Sequence, residues 1–219
     1  MNKIKVIGIQ VPTEKELALI TDAARLTQVK DYSFTGQYIP KLAQKLLTMG
    51  HYAPFEFVDM TVFIKGCSRT FLAQITRHRL CSFMSSSQQY QHIKIPDFVI
   101  PCGLSEEQLT RYIDSANENW EVYNELEKEV GRDQARYILP NACRVDLLIK
   151  ANLREWLTVI IPQRSCKRNT TETQYIIREI CQLLPYDLLT GPECLTLGKC
   201  NQGSMACNDT YQCKGDLLQ

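Results

Sequence analysis

The chain has 219 residues, 44% of them hydrophobic, and 25 Lys and Arg against 24 Asp and Glu leave a formal net charge of +1. This composition supplies enough apolar material for a core and excludes wholesale disorder. It also excludes a strongly basic chain that holds a nucleic acid polymer by bulk electrostatics, although a local basic site stays open. No apolar run approaches the roughly 18 residues of a membrane span, and no cleavage site follows the basic N-terminus. We therefore expect a cytoplasmic protein without a membrane partner.

The N-terminal part of the sequence predicts one strand and two helices. Residues 3–11 alternate well enough for a strand. Thr13 and Glu16 have the spacing of a capping box, which predicts a helix that ends near Leu26. A second amphipathic helix is predicted over about 36–49, with a glycine directly after it as the stop.

The middle of the chain predicts a strand followed by a short and a long helix. Residues 57–65 alternate between two sets of side chains, which predicts a strand with two different faces. Ser68 is placed to cap a helix, and Ser105 with Gln108 predicts the start of a long amphipathic one. The stripe of this long helix is predicted to be core: Leu109, Ile113, Ala116, Trp120, Tyr123, Leu126 and Val130.

The C-terminal part adds a short helix over 133–139, a buried strand over 145–151, and helices near 153–161 and 172–184, each closed by a proline. Helices outnumber strands and do not alternate regularly with them, which favours an α+β fold. We expect one domain over residues 1–190 and a cysteine-rich tail over residues 191–219.

The ten cysteines form two groups. Six are dispersed and are expected to be small buried thiols: Cys67, Cys81, Cys102, Cys143, Cys166 and Cys181. The other four lie in the tail with gaps of five, six and five residues, which lack the paired C-x-x-C spacing of a zinc ribbon: Cys194, Cys200, Cys207 and Cys213. Metal binding and free or redox-active thiols stay open for these four, and no residue is assigned to a metal. The histidines His51, His78 and His92 are poorly spaced for zinc.

Residues 74–92, QITRHRLCSFMSSSQQYQH, carry the clearest chemical signal. Two arginines flank a histidine, and serines, glutamines and a tyrosine follow. Arginine forks bind phosphate in two-pronged fashion, and hydroxyls and amides complete a phosphate or base site without adding negative charge. The segment predicts a nucleotide or phosphorylated-cofactor site; the alternative is a solvated helix end followed by a polar loop. A Ser–His hydrolase is disfavoured because no G-x-S-x-G elbow frames a serine.

The pattern Arg77-His78-Arg79-x-x-Ser82-x-x-x-x-Ser87-x-x-Tyr90 resembles the signature of the flavin-dependent thymidylate synthases. The resemblance covers about residues 14–184, and an ordered series is more specific than the RHR motif alone. Its other matched segments are His51-x-x-x-Phe55-Glu56, Ser68-Arg69…Gln74, Ala135-Arg136-x-x-Leu139-Pro140, Asn152-x-Arg154 and Gln174-x-x-Ile177-Arg178.

The resemblance implies an α+β fold with a mixed or antiparallel sheet, and a homotetramer with sites shared between subunits. It implies FAD as cofactor, methylenetetrahydrofolate and NADPH as co-substrates, and dUMP as the methyl acceptor, without a cysteine or serine nucleophile. The cofactor-binding residues it implies are Arg77, His78, Arg79, His51, Glu56, Asn152 and Arg154. The nucleotide-binding residues it implies are Gln74, Arg77, Ser85, Ser86, Ser87, Gln89 and Arg136.

Three positions depart from the fuller signature R-H-R-x-x-S-x-N-E-x-S-x-R-Y. Met84 replaces the asparagine, Ser85 the glutamate and Gln89 the last arginine, which would help to neutralise the dUMP phosphate. Loss of one charged contact implies a nucleotide bound roughly 10- to 100-fold more weakly, unless another base compensates. Two alternatives therefore stay open: a different pyrimidine nucleotide as acceptor, or a flavin- or nucleotide-binding paralogue without turnover.

The ring-activating arginine of the family opens an R-x-C segment, which Arg164-Ser165-Cys166 resembles. Residues 167–173, KRNTTET, look like an insertion, so that either Arg164 or Arg168 takes this catalytic role and Lys167 could supply the missing charge. A hydroxyl-rich insertion suggests changed selectivity; a tolerated surface loop is the alternative.

Several candidates also have structural explanations. Arg136 and Arg154 could form ordinary helix ion pairs. His51 could close a helix C-terminus, where the partial negative charge favours it. Trp120 and Trp156 are expected in the core.

Overall fold

The computed structural model of the protein describes residues 4–91, 96–166 and 168–189, without the side chain of Tyr186. Lys167, His92 and the four tail cysteines lie outside the described residues. The expected α+β fold is confirmed: helices accompany a four-stranded antiparallel sheet of order β1-β2-β4-β3. The strands are β1 (Lys5–Gln10), β2 (Asp59–Ser68), β3 (Ser82–Ser85) and β4 (Arg144–Asn152).

The described helices begin and end as follows. The α-helices are α1 (Glu14–Leu26), α2 (Pro40–Thr48), α3 (Arg69–Ile75), α4 (Glu106–Val130), α5 (Arg132–Ala135), α6 (Leu153–Glu155), α7 (Ile161–Arg164), α8 (Thr171–Cys181) and α9 (Tyr186–Leu189). Two 3₁₀ turns span Ala53–Phe57 and Arg136–Ile138, and a π-helical turn, Trp156–Ile160, joins α6 to α7.

Hydrophobic alternation places the two central strands. In β2 alternate residues such as Met60 and Val62 are fully buried, and in β4 Leu147 and Ile149 are fully buried. A period of two puts successive side chains on opposite faces of a sheet, so one face of each strand is core. The prediction of a two-faced strand is confirmed, whereas the short strand β3 was missed because its sequence, SFMS, has no such alternation.

Local capping signals predicted most helix starts correctly. The capping boxes at Thr13 and at Ser105 are both formed, and the Ser68 side chain accepts a hydrogen bond from the backbone of α3. The predicted start of α2 at residue 36 is wrong. Pro40 is its first residue, where a fixed φ and a missing N–H cost nothing.

The prediction that Pro162 closes a helix is also wrong. The preceding π-helical turn makes i→i−5 hydrogen bonds, and the Ile161 N–H donates to the Trp156 carbonyl. Pro162 then occupies the first turn of α7, where its missing N–H is tolerated, and the helix continues to Arg164.

Burial corrects two further expectations. Cys81 is half-buried and Cys102 is exposed, whereas the other four dispersed thiols are buried. In α4 only Ala116, Trp120 and Tyr123 of the expected stripe are buried, and Val130 is 53% exposed. Both tryptophans lie in the core as expected, and the Trp156 Nε1–H donates to the Met60 carbonyl at 3.2 Å.

The described residues divide into two compact units, and the expectation of one domain over residues 1–190 followed by a cysteine-rich tail stays a prediction. The first unit contains the described residues of Met1–Lys5, Ile64–Arg77 and Phe83–Leu148; the second contains those of Val6–Phe63, His78–Ser82 and Ile149–Gln219. None of the described helices is both long enough and apolar enough to cross a membrane.

Candidate functional site

A cleft of about 620 Å³ opens in the second unit. Its wall consists of the end of α1, the turn from Gly50 to Pro54, and the side chains of Phe57 and Arg154. Gly50 has a φ of +75°, and the N–H groups of Gly50 and His51 donate to the carbonyls of Leu47 and Leu46. This pattern is the Schellman end of a helix, which requires a left-handed residue. The backbone of His51 therefore closes α2, while its exposed imidazole lines the cleft.

A loop beside the cleft is fixed by a buried carboxylate. Asp22, in α1, is 1% exposed and accepts hydrogen bonds from the Tyr32 hydroxyl, the backbone and hydroxyl of Thr35, and the Gly36 N–H. Burial raises the pKa of Asp22, but the hydrogen bonds from Tyr32, Gly36 and Thr35 outweigh it and lower the pKa to about 2. The ionised Asp22 thus holds residues 32–36 next to the chain that lines the cleft.

Arg154 and Glu56 form an ion pair inside the second unit. The Arg154 Nη1 donates to Glu56 Oε1, and both side chains are about half exposed, at 47% and 46%. Asn152 is half-buried, and its side chain caps α6 by accepting the Glu155 N–H at 2.9 Å. Arg154 therefore has the ion pair that the structural alternative expected, although its partner lies 98 residues away rather than in the same helix.

His78, in contrast, is buried between Arg164 and Glu155. Its Nε2 accepts a hydrogen bond from Arg164 Nε at 2.9 Å, and its Nδ1 lies 3.5 Å from Glu155 Oε1. Burial, and next the charge of Arg164, lower the pKa of His78 to about 4. Burial is also the main cause that raises the pKa of Glu155. His78 is consequently a neutral imidazole near pH 7.

Arg164 reaches His78 because of the wide turn before it. The π-helical turn Trp156–Ile160 inserts an i→i−5 step between Asn152 and the end of α7, and α7 packs against α8. Such a turn rotates the residues after it relative to a regular α-helix, and π-turns are frequent at functional sites. Arg164 is half-buried, whereas Arg168 is exposed.

The described residues 168–173 of the expected insertion form a surface loop only in part. Thr170 caps α8, whose first turn contains the buried Glu172 and Thr173. The Asn169 side chain donates to the Gln163 carbonyl at 2.8 Å, and the Gln174 side chain donates to the Asn169 carbonyl at 2.8 Å. The described part of the expected insertion is therefore tied to α7 and α8.

The remaining members of the RHR motif are exposed. Arg77 belongs to the first unit and Arg79 to the second, and neither guanidinium is buried. Cys81, two residues further on, is half-buried; burial, reinforced by Glu155, raises the pKa of its thiol to about 12. A thiol with this pKa is not a nucleophile at neutral pH.

The nucleotide-binding segment predicted in the first unit is held by hydrogen bonds to backbone groups. The Ser86 N–H donates to the Asp146 carbonyl at 2.9 Å, and the Ser86 hydroxyl accepts from the Asp146 N–H at 3.0 Å. Ser87 Oγ accepts the Gln89 N–H at 3.2 Å. The side chains of Ser85 and Gln89 are exposed.

The two other predicted nucleotide ligands of this unit differ in their surroundings. Gln74 is half-buried at the end of α3. Arg136 Nη2 lies 2.8 Å from Asp133 Oδ1, an i,i+3 pair, which is the ordinary ion pair that the alternative reading expected.

Glu155 was not among the residues that the sequence singled out. Its position three residues after Asn152 is typical of a helix start, and this signal could have marked it as an N3 residue. Nothing local predicts that its side chain turns to His78, 77 residues earlier in the chain. Within the described residues, no group of three or more His, Cys, Asp or Glu side chains is arranged to hold a metal ion.

Comparisons with known proteins show similarity to one family over most of the chain. The sequence model of the family described as "Thymidylate synthase complementing protein" matches residues 11–185. The chain is 31% identical to the flavin-dependent thymidylate synthase of Geobacter sulfurreducens, with 78% of this chain and 77% of that protein covered. It is 30% identical to the enzyme of that name from Thermococcus kodakarensis (88% and 87% covered) and 26% identical to that from Clostridium tetani (80% of each).

Proposed function

Because the chain belongs to the family of flavin-dependent thymidylate synthases, we propose that it catalyses the reductive methylation of dUMP to dTMP. Methylenetetrahydrofolate is the proposed one-carbon donor, and FAD and NADPH complete the reaction. The protein is accordingly an FAD-dependent enzyme of the methyltransferase class. The observation that carries the proposal is the cleft lined by His51 and Arg154. The same unit contains Arg164, whose Nε–H donates a hydrogen bond to His78.

The residues of the cleft fit a flavin. A volume of about 620 Å³ lies within the usual range of a pocket for a cofactor-sized ligand. Tyr52, Pro54 and Phe57 offer flat apolar surface to a ring system, and Arg154 offers a guanidinium to an anionic group. His51, Arg154 and the exposed Arg79 would hold FAD, with Glu56 and Asn152 keeping Arg154 and its helix in place. When bound, FAD supplies the redox chemistry that no side chain offers.

Arg164 is the arginine that we assign to the pyrimidine ring. Reaction at carbon 5 requires that negative charge on the ring be stabilised, and donors that are positioned in advance do this at least cost. The Arg164 guanidinium is half-buried and its plane is fixed by the hydrogen bond from Nε to His78. Arg168 is exposed, and we assign it no catalytic role.

In the first unit, Arg77, Gln74, Ser86, Ser87 and Arg136 are the proposed nucleotide ligands. The resemblance assigns these roles, and their chemistry supports them because guanidinium, amide and hydroxyl groups bind phosphate and base edges. Gln89 stands where the family carries an arginine, so it offers the phosphate hydrogen bonds without charge. Homotetramer formation and a cytoplasmic location are part of the same proposal.

The test is a turnover assay on purified protein. We expect yellow flavin absorbance and, under anaerobic conditions with reduced FAD and methylenetetrahydrofolate, conversion of dUMP to dTMP detected by mass spectrometry. NADPH should replace chemical reduction of the flavin. A homotetramer would have a mass near 100 kDa by light scattering, since one chain has 25.2 kDa. Colourless protein that FAD does not reconstitute would contradict the cofactor assignment.

A second acceptor is favoured by one observation. Met84, Ser85 and Gln89 depart from the family signature, and all three side chains are exposed in the segment that is predicted to bind the nucleotide. The same assay therefore includes a panel of other pyrimidine nucleotides. Product from one of these and none from dUMP would replace dUMP as the substrate, and tight binding without any product would indicate a paralogue without turnover.

A further inference from the structure

The second unit contains a chain of three ionisable side chains, of which His78 and Glu155 are buried and Arg164 is half-buried. Glu155 begins it in α6, His78 is its centre and Arg164, at the end of α7, is its last member. The His78 and Glu155 side chains are 4% and 7% exposed. Burial of a carboxylate or an imidazole costs free energy unless the group is paired. The burial of Glu155 and His78 therefore indicates that their contacts compensate this cost.

The hydrogen bond between Arg164 and His78 fixes the position of the imidazole proton. A guanidinium has N–H donors and no acceptor, so the His78 Nε2 that faces Arg164 Nε at 2.9 Å must carry the lone pair. A neutral imidazole then carries its proton on Nδ1. Nδ1 is the nitrogen that faces Glu155 Oε1 at 3.5 Å.

Glu155 thereby stabilises the tautomer that Arg164 requires. With the proton on Nε2 instead, two N–H groups would face each other and Arg164 would turn away from His78. The carboxylate attracts the proton to the Nδ1 side and keeps Nε2 free to accept. This is the arrangement by which second partners set the tautomer of functional histidines.

We propose that Glu155 is a positioning residue, which holds the Nδ1–H tautomer of His78 and through it the orientation of the Arg164 guanidinium. The inference rests on the proposed function in that Arg164 is the group that acts on the pyrimidine ring. In this arrangement His78 contacts Glu155 through Nδ1 and Arg164 through Nε2. Its burial and low pKa agree with a neutral ring.

The first test reads the tautomer directly and needs no substrate. The chain has three histidines, so ¹⁵N-histidine labelling gives three ring systems, and the variants His51→Gln and His92→Gln identify the signals of His78. At pH 7.5 we expect a protonated Nδ1 and an unprotonated Nε2. A wild-type His78 that carries its proton on Nε2, or on both nitrogens, overturns the proposal.

The second test removes the acceptor. Glu155→Leu leaves the Nδ1–H facing a methyl group; we expect mixed tautomers and a kcat at least 10-fold lower, with the same FAD content per chain. Glu155→Gln keeps an acceptor oxygen and should retain the wild-type tautomer and a kcat within about 3-fold. Glu179→Leu, in α8 of the same unit, is the control for loss of one carboxylate and should leave kcat unchanged.

The outcomes separate the two proposals. An unchanged tautomer and unchanged kcat in Glu155→Leu overturn the positioning role. Equal loss of kcat in Glu155→Gln and Glu155→Leu, without a change in tautomer, also overturns it. If Glu155→Leu does not fold, the wild-type spectrum and Glu155→Gln decide. If the wild-type protein makes no product from any pyrimidine nucleotide, the proposed function fails, and the nitrogen spectra still decide whether Glu155 fixes the imidazole.

Discussion

In the second unit the predicted cofactor-binding and catalytic side chains hold one another, whereas in the first unit the predicted nucleotide-binding segment is held by hydrogen bonds to backbone groups. Arg154 pairs with Glu56, and Arg164 bonds to a buried His78. The segment around Ser86 is instead fixed by hydrogen bonds to the Asp146 backbone, and Gln89 points to solvent. Side chains that are fixed in advance lose little entropy on binding, while exposed ones must be ordered by the ligand.

The comparison teaches which substitutions each unit tolerates. Removal of one partner in the second unit leaves the other without the contact that positions it, so effects are expected to spread beyond the residue that is changed. A substitution in the exposed segment of the first unit changes one ligand contact and little else. The following substitutions test this difference, from the largest expected effect to the smallest.

The largest effect is expected at Arg164. Arg164→Ala should lower kcat by on the order of 100-fold or more, because a preorganised charge at a developing anion has about this value. Arg164→Lys should recover little, since an ammonium cannot reproduce the Nε–H bond to His78. Arg168→Ala is the matched control and should stay within about 3-fold. Steady-state kinetics measures kcat for all three variants. A larger loss of kcat in Arg168→Ala than in Arg164→Ala would assign the catalytic role to Arg168 instead.

Next in size is Asp22→Asn, which tests whether the cleft depends on the loop at residues 32–36, which Asp22 holds against α1. The amide offers one acceptor atom where the carboxylate has two, so a backbone N–H of Thr35 or Gly36 loses its partner. We expect a free energy of unfolding lower by about 1–3 kcal/mol, measured by urea titration at pH 7, and a lower affinity for FAD. Thr48→Ala, exposed on α2, is the control.

Asp22 also gives a pH dependence with a defined sign. Its pKa in the folded protein, about 2, lies below the ordinary value of 3.8. The unfolded chain therefore binds the proton first, and the stabilisation is present above pH 4 and lost as the pH falls towards 2. Urea titrations between pH 5 and pH 2 should show a steeper loss for the wild type than for Asp22→Asn; equal slopes would contradict the assignment.

In the first unit, Gln89→Arg should act on the ligand alone. It restores the arginine of the family signature at an exposed position, and one added charged hydrogen bond is expected to tighten nucleotide binding roughly 10- to 100-fold. Calorimetric titration with dUMP measures this gain, and the melting temperature should not change. Gln91→Arg, also exposed, controls for added charge. Unchanged affinity would mean that Gln89 does not face the phosphate.

The last prediction concerns the half-exposed ion pair of Arg154 and Glu56, where only a small loss of stability is expected. Glu56→Gln should lower the free energy of unfolding by less than about 1 kcal/mol, as is usual for exposed pairs. Arg154→Gln should be equally mild for stability but should lower FAD retention, which flavin absorbance per chain after gel filtration measures. Arg136→Gln, which breaks an ion pair in the first unit, is the control and should retain FAD.

The sequence predicted those features that depend on neighbouring residues. The capping boxes at Thr13 and Ser105, the stop at Gly50 and the two-faced strand β2 all follow from local spacing and were confirmed. The family also follows from an ordered series of local motifs, and the comparisons confirmed it.

The contacts that organise the candidate site could not be predicted in this way. His78 and Arg164 are 86 residues apart, and Arg154 and Glu56 are 98 apart, so no window of sequence contains either pair. The sequence predicts a stop at Pro162, but this proline lies in the first turn of α7 directly after a π-helical turn, where its missing N–H is tolerated. The roles of the individual ligand-binding residues stay predictions.

Because of the π-helical turn at Trp156–Ile160, the direction of the Arg164 side chain depends on the number of residues in this helix. Each residue of a regular helix advances the direction of the following side chains by about 100°. Deletion of a single residue there would leave the core hydrophobic and the helix intact, yet it would swing Arg164 from His78 towards a different side of the molecule. A design that shortens this helix, or replaces the π-helical turn by regular α-helix, would therefore give a well-folded protein in which the Arg164 guanidinium no longer contacts His78.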